Sequence, residues 1–189
     1  MVANKNIDCS FIVTENSIKS YQSLSKEYSA IEPPTWALLL AQSMRSVGYN
    51  VNIVDANAEK LSKEKIYERI NDFSPRLICF VVYGQNVNAG TTNMSGTVYV
   101  ANYLKSQGLD IPLSIIGSHV QALPKETLEN EKSIDFVFTN EGVYSLRNVL
   151  KLNKFDSKNL SSVKGIAYRE NQKIVITSPE SVVPTDKMD

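Results

Sequence analysis

The run Leu77 to Tyr83, LICFVVY, contains no charged residue and lies between Pro75 and Gly84. It is too short for a buried helix, and its lack of polar alternation marks a strand covered on both faces. Such a strand belongs in the middle of a sheet with a helical layer on either side. The rest of the chain must then supply further short strands and amphipathic helices in alternation.

The flanking sequence meets that demand. Residues 7–14 form a short apolar run and read as the first strand, and the polar stretch 15–32 after it is long for a strand-to-helix connection. From Pro34 the pattern turns helical, with Trp36, Leu39, Leu40, Met44 and Val47 spaced along one side and Gly48 at the C-cap. Residues 49–55 follow as a second strand. Residues 62–73 read as a helix with Ile66, Ile70 and Phe73 as its buried stripe, ended by Pro75.

After the central strand, GQNVNAGTTNMSG reads as a loop leading to a helix at 97–107 with Val98, Val100, Ala101 and Leu104, closed by Gly108. Residues 112–117 are the fourth strand, 125–130 a short helix, 134–139 the fifth strand and 141–150 another helix. Segments 165–169 and 173–177 flank Glu170, Asn171 and Gln172 and read as a β-hairpin. The expected organisation is an α/β domain over 1–160, a closing hairpin of the same domain over 161–178, and a linker-like tail over 179–189. Strands alternating with helices give a doubly wound parallel sheet of three layers, whose ligands bind beyond the carboxyl ends of the strands.

Composition removes several classes of function. Lysine plus arginine equals aspartate plus glutamate at 20 each, so no net field gathers nucleic acid or anionic lipid. The N-terminal residues lack the pattern of a signal peptide, and no apolar run approaches membrane-spanning length, so a cytoplasmic protein is expected. Cys9 and Cys79 both lie in apolar strand-like runs and read as small buried hydrophobes. With one histidine and two separated thiols, the chain has no ligand set for zinc or an iron–sulfur cluster.

Candidate ligand contacts cluster at the predicted strand ends. Thr14 and Glu15 end the first strand, Tyr83, Gly84, Gln85 and Asn86 the third, Gly117, Ser118 and His119 the fourth, and Asn140, Glu141 and Gly142 the fifth. Glycine there lets a bulky ligand approach main chain, although Gly and Asn also simply make turns. Fingerprints for dinucleotides, nucleotide triphosphates and α/β hydrolases, namely Gly-x-Gly-x-x-Gly, Gly-x-x-x-x-Gly-Lys and Gly-x-Ser-x-Gly, are absent. His119, the only imidazole, either bonds a ligand or is an ordinary loop histidine.

Four stretches in order resemble the N-terminal cobalamin-binding domain of B12-dependent radical SAM enzymes. They are Pro33-Pro34 with the helix and RSVGYNVNIVDAN after it, Ile116-Gly117-Ser118-His119 with Ala122-Leu123-Pro124, Asp135-Phe136-Val137 leading to Asn140-Glu141-Gly142, and the segment VKGIAYR from Val163. The resemblance implies a flavodoxin-like or Rossmann-like five-stranded sheet in the order 2-1-3-4-5 with a C-terminal β-hairpin. It also implies a corrinoid across the strand ends, with Gly117, Ser118 and His119 on its nucleotide tail.

The chain departs from the family pattern at Val81, where a serine commonly stands, and at Ser118 and Asn140, where glycines do. The first loop lacks the Asp-x-His-x-x-Gly of related domains, so the cobalamin is expected base-off with no lower histidine from that loop. The expected role is a corrinoid-binding module, not catalytic alone, that presents B12 to a radical SAM domain, linked downstream or separate, for methyl transfer or related radical chemistry. Two other readings stand beside it: a flavodoxin-like flavin or nucleotide binder, with Thr91, Thr92 and Ser95 as phosphate donors, and a truncated docking domain that binds no cofactor.

Overall fold

The central apolar run forms β3 (Leu77–Val82), buried along its whole length. It pairs in parallel with β1 (Cys9–Val13) on one side and β4 (Leu113–Gly117) on the other. In this computed structural model, which describes residues 6–14, 31–84 and 87–184 (backbone only for 87–89), these strands are the middle of a larger sheet. β2 (Val51–Asp55) lies outside β1, and β5 (Phe136–Phe138) lies outside β4, both parallel. The expected 2-1-3-4-5 order is therefore present.

The hairpin does more than close the domain. Its first strand, β6 (Ile166–Glu170), pairs antiparallel with β5, and β7 (Lys173–Ile176) pairs antiparallel with β6. Among the described residues the sheet thus has seven strands. Asn171 and Gln172 both have positive φ, 47° and 67°, as a two-residue hairpin turn that matches the sheet's twist requires. Arg169 fixes the hairpin against the preceding structure by donating to the carbonyls of Leu128, Glu131 and Ile134.

Alternating side chains divide the core into two layers. On one face, Cys9 and Phe11 of β1 pack with Ala37, Leu40, Ala41 and Met44 of α1 (Thr35–Arg45) and with Leu146, Val149 and Leu150 of α6 (Val143–Leu150). On the other, Ile12 and Val54 pack with α2 (Lys63–Phe73) and α3 (Val87–Ser106), together with Leu128 of α5 (Pro124–Asn130). Burying a large aliphatic side chain stabilises the fold by roughly 1.5–3 kcal/mol, so the paired layers dominate its energetics.

Local signals set the helix ends. The Ser62 side chain accepts a hydrogen bond from the Lys65 amide and caps α2, which stops at Ser74 in a left-handed conformation just before Pro75. Two short helices, α4 (Ser118–Ala122) and α7 (Ser157–Leu160), lie beyond those the pattern gave.

Two expectations are corrected. α3 begins at Val87, ten residues before the predicted 97, so most of the predicted loop is helix. The apolar side predicted for α1 is also split: Leu40 and Met44 are buried, whereas Trp36, Leu39 and Val47 are 47%, 58% and 49% exposed. The inward face is the neighbouring one, Ala37, Leu40, Ala41 and Met44, because small alanines let the helix lie close to β1 and β2.

Candidate functional site

The sheet order places β1 beside β3, and the helices that follow these two strands lie on opposite faces. Open α/β sheets form their ligand crevice at such a reversal, beyond the strands' carboxyl ends. Thr14 stands there after β1, with its hydroxyl 2.9 Å from that of Thr97 on α3. Tyr83 and Gly84 follow β3, Gly117 ends β4, and Ser118 and His119 open α4. Glu15, Gln85 and Asn86 lie outside the described residues.

Tyr83 is the hub. Its ring stacks on Trp36, with centroids 4.4 Å apart and planes at 24°. Its hydroxyl accepts a 2.7 Å hydrogen bond from the side-chain amide of Gln121, which also donates to the Asn140 carbonyl at 2.8 Å. One side chain of α4 therefore ties the end of β3 to the end of β5. Burial pushes the Tyr83 hydroxyl up to about 12, more than the Gln121 bond lowers it, so the ring stays neutral at physiological pH.

The turn after β5 is held from two sides. The Asn140 side-chain oxygen accepts from the Gly142 amide at 2.9 Å, and its side-chain amide donates to the Glu180 carbonyl at 3.1 Å. Gly142 caps α6 at φ 79°, where a Cβ would lie 2.1 Å from Cδ1 of Ile116. A glycine is required there on both counts. Glu141 accepts from the Val183 amide at 2.5 Å, so its carboxylate is engaged by the segment after the hairpin.

Beneath His119 the packing is tight. A Cβ on Gly117 would meet the Val82 carbonyl oxygen at 2.1 Å, so this glycine serves strand-to-strand approach. His119 Nδ1 lies 3.2 Å from the Thr91 hydroxyl on α3. The Ser118 hydroxyl is buried next to Gly90 without a hydrogen-bond partner among the described residues. A buried hydroxyl left unpaired costs on the order of 1–3 kcal/mol, which a ligand at this seam would recover.

Trp36 and Gln121 were not among the sequence-derived contacts. The spacing puts Trp36 on an ordinary helix stripe, and Gln121 lies in a segment without periodicity. The paired prolines placing Trp36 at a helix start were the one available signal for it. An open cavity of about 350 Å³ lies elsewhere, between the segment that follows α1 and a side of α6, and its lining, which includes Tyr49, Arg147 and Glu180, contains none of the predicted contacts.

Fold and edge together define a doubly wound α/β ligand-binding domain of the Rossmann-like kind. More specifically, the chain belongs to the B12-binding domain family, whose model matches residues 24–150. It is 26% identical over 152 residues to the uncharacterized methyltransferase PH0819 of Pyrococcus horikoshii, a match covering 80% of this chain and 31% of that protein.

Solved structures share the fold. The cobalamin-dependent S-adenosylmethionine radical enzyme OxsB, with aqua-cobalamin and S-adenosylmethionine bound, superposes with a TM-score of 0.67 at 17% identity, over 93% of this chain and 23% of that one. The radical S-adenosylmethionine methyltransferase TsrM from Kitasatospora setae, with cobalamin and a [4Fe-4S] cluster bound, gives 0.68 at 14% identity, over 96% and 30%. The chain thus spans less than a third of the length of each of these relatives.

The residues present fit a corrinoid. The crevice offers a buried hydroxyl at Ser118, unpaired among the described residues, for a polar arm and the flat Trp36–Tyr83 pair for an apolar face. Among the described residues no group of three or more His, Cys, Asp or Glu side chains is arranged to hold a metal ion. Cys9 and Cys79 are buried in β1 and β3. No helix among the described residues is long and apolar enough to cross a membrane.

Proposed function

We propose that this domain holds a base-off corrinoid across the carboxyl ends of β1, β3, β4 and β5 and presents it to a radical SAM domain, joined downstream or carried by a separate chain. The family match over residues 24–150 carries the reading, because it includes every described crevice loop except Thr14. Bound cobalamin would supply methyl-transfer or related radical chemistry at cobalt, while the protein binds and orients it.

Each part of the edge has a role in this reading. Gly117, Ser118 and His119 receive the nucleotide tail, with the Ser118 hydroxyl gaining the partner it lacks among the described residues. Thr14, Tyr83, Gly84, Asn140, Glu141 and Gly142 wall the crevice. Tyr83, kept neutral by burial, offers an aromatic surface and no anionic oxygen.

The test is retention of cofactor. The purified chain, incubated with hydroxocobalamin and passed through gel filtration, is expected to elute with corrinoid absorbance near one equivalent. Elution without that absorbance would overturn the proposal.

A further inference from the structure

The sheet face that packs against α2 and α3 is apolar along its middle, where β3 presents Ile78, Phe80 and Val82 and β4 presents Leu113 and Ile115. Ser10 and Asn52 interrupt it. Side chains two apart on a strand share a face, so Ser10 stands on the side of Ile12 in β1, and Asn52 on the side of Val54 in β2. The two are direct partners in the parallel register of these strands. Both also lack a partner: Ser10 is fully buried, and Ser10 Oγ, Asn52 Oδ1 and Asn52 Nδ2 are all shielded from solvent without a hydrogen bond among the described residues. The other such atoms stand apart from one another. They are the hydroxyls of Ser118 and Ser145, and Nε of Arg147 and Arg169, whose guanidinium groups are bonded through other nitrogens.

We propose that Ser10 and Asn52 bind one internal water molecule between β1, β2 and the helical layer over them. Neighbouring strands lie about 4.8 Å apart, so a molecule that reaches both side chains must be small. It must also donate and accept at once, because the pair offers a hydroxyl, an amide with donor hydrogens and a carbonyl oxygen that accepts. Water meets both demands, and about three hydrogen bonds is the usual complement of a buried water. The bound water fastens an edge. β2 is the outermost strand on its side and pairs only with β1, so a bridge from Asn52 to Ser10 adds a side-chain link to the backbone ladder. The site lies along the strands, not at their carboxyl ends, and is independent of the corrinoid reading.

The experiment is a high-resolution crystal structure of the wild-type chain, together with urea unfolding of Ser10→Ala, Asn52→Leu and the double variant. The wild type is expected to show ordered density for a water within hydrogen-bond distance of Ser10 Oγ and of a side-chain atom of Asn52. Each single variant should lower the urea midpoint, because it leaves the other polar group buried with fewer partners. The double variant removes both groups and the water, so it should regain most of that loss. A direct hydrogen bond between Ser10 and Asn52 with no water density would overturn the inference. So would single-variant losses that simply add in the double variant. The density is read on the wild type, so the outcome does not depend on any variant folding.

Discussion

Gly90 and Ser118 are so close that a Cβ on Gly90 would lie 2.1 Å from the Ser118 hydroxyl oxygen but 3.5 Å from the Ser118 Cβ. The first turn of α3 is thus seated against the first residue of α4 with room for a hydrogen and nothing larger. Gly90→Ala should lower stability by about 1 kcal/mol in urea unfolding, because the buried hydroxyl must move. In a Ser118→Ala background the obstacle is gone, and the same change should instead raise stability by about 1 kcal/mol through helix propensity. Equal effects in the two backgrounds would contradict this packing.

Removing the amide of Gln121 should loosen two strand ends together. Gln121→Leu leaves the Tyr83 hydroxyl and the Asn140 carbonyl without their donor, at an expected cost of about 1–3 kcal/mol. Adding Tyr83→Phe removes one of the two orphaned groups and should recover part of the loss. A urea midpoint unchanged by Gln121→Leu would show that the bridge adds nothing.

His119 bears on the proposed cofactor through hydrogen bonding. His119→Ala is expected to weaken hydroxocobalamin retention by about three- to tenfold, the value of one lost hydrogen bond, and to leave the cobalamin absorption spectrum unchanged. A spectral change would make His119 an axial ligand and contradict the assignment to the tail.

Alkaline pH should unfold the domain through three buried acids. Burial is the main cause that pushes Cys79 and Tyr83 up to about 12 and Cys9 well above its ordinary 9.0. Each holds its proton more tightly folded than unfolded, so the stability it confers is complete below the ordinary values of 9.0 and 10.0 and is lost as pH rises through the raised folded value, about 12 for Cys79 and Tyr83. Urea midpoints should fall between about pH 9 and 12, less steeply for Tyr83→Phe. Both thiols should resist iodoacetamide in the native protein at neutral pH and react after denaturation.

Much of this fold could be read from local pattern. LICFVVY is the central strand, and the Ser62 and Pro75 signals bound α2 as expected. The start of α3 was hidden because Gly90, Gly96 and the Asn, Thr and Ser residues between them have the composition of a loop. Contacts distant in sequence, including Met94 in the core and Gly90 at Ser118, make it helical.

The inward face of α1 was ambiguous for a different reason. WALLLA is apolar nearly all round, and only the fit of Ala37 and Ala41 against the sheet settles the rotation. The crevice loops were placed from strand order, whereas the Trp36–Tyr83–Gln121 row depends on side-chain directions that spacing does not encode.

The return of the chain after the hairpin has a consequence for assembly. Hydrogen bonds from Asn140 to Glu180 and from Val183 to Glu141 lead the backbone back from β7 to the crevice edge before residue 184. A domain fused beyond that point by a short flexible linker would meet the crevice at an effective concentration in the millimolar range, whatever its intrinsic affinity. For such a fused domain the two hydrogen bonds would act as a fixed tether point, whereas a domain on a separate chain would meet the crevice in an ordinary bimolecular encounter.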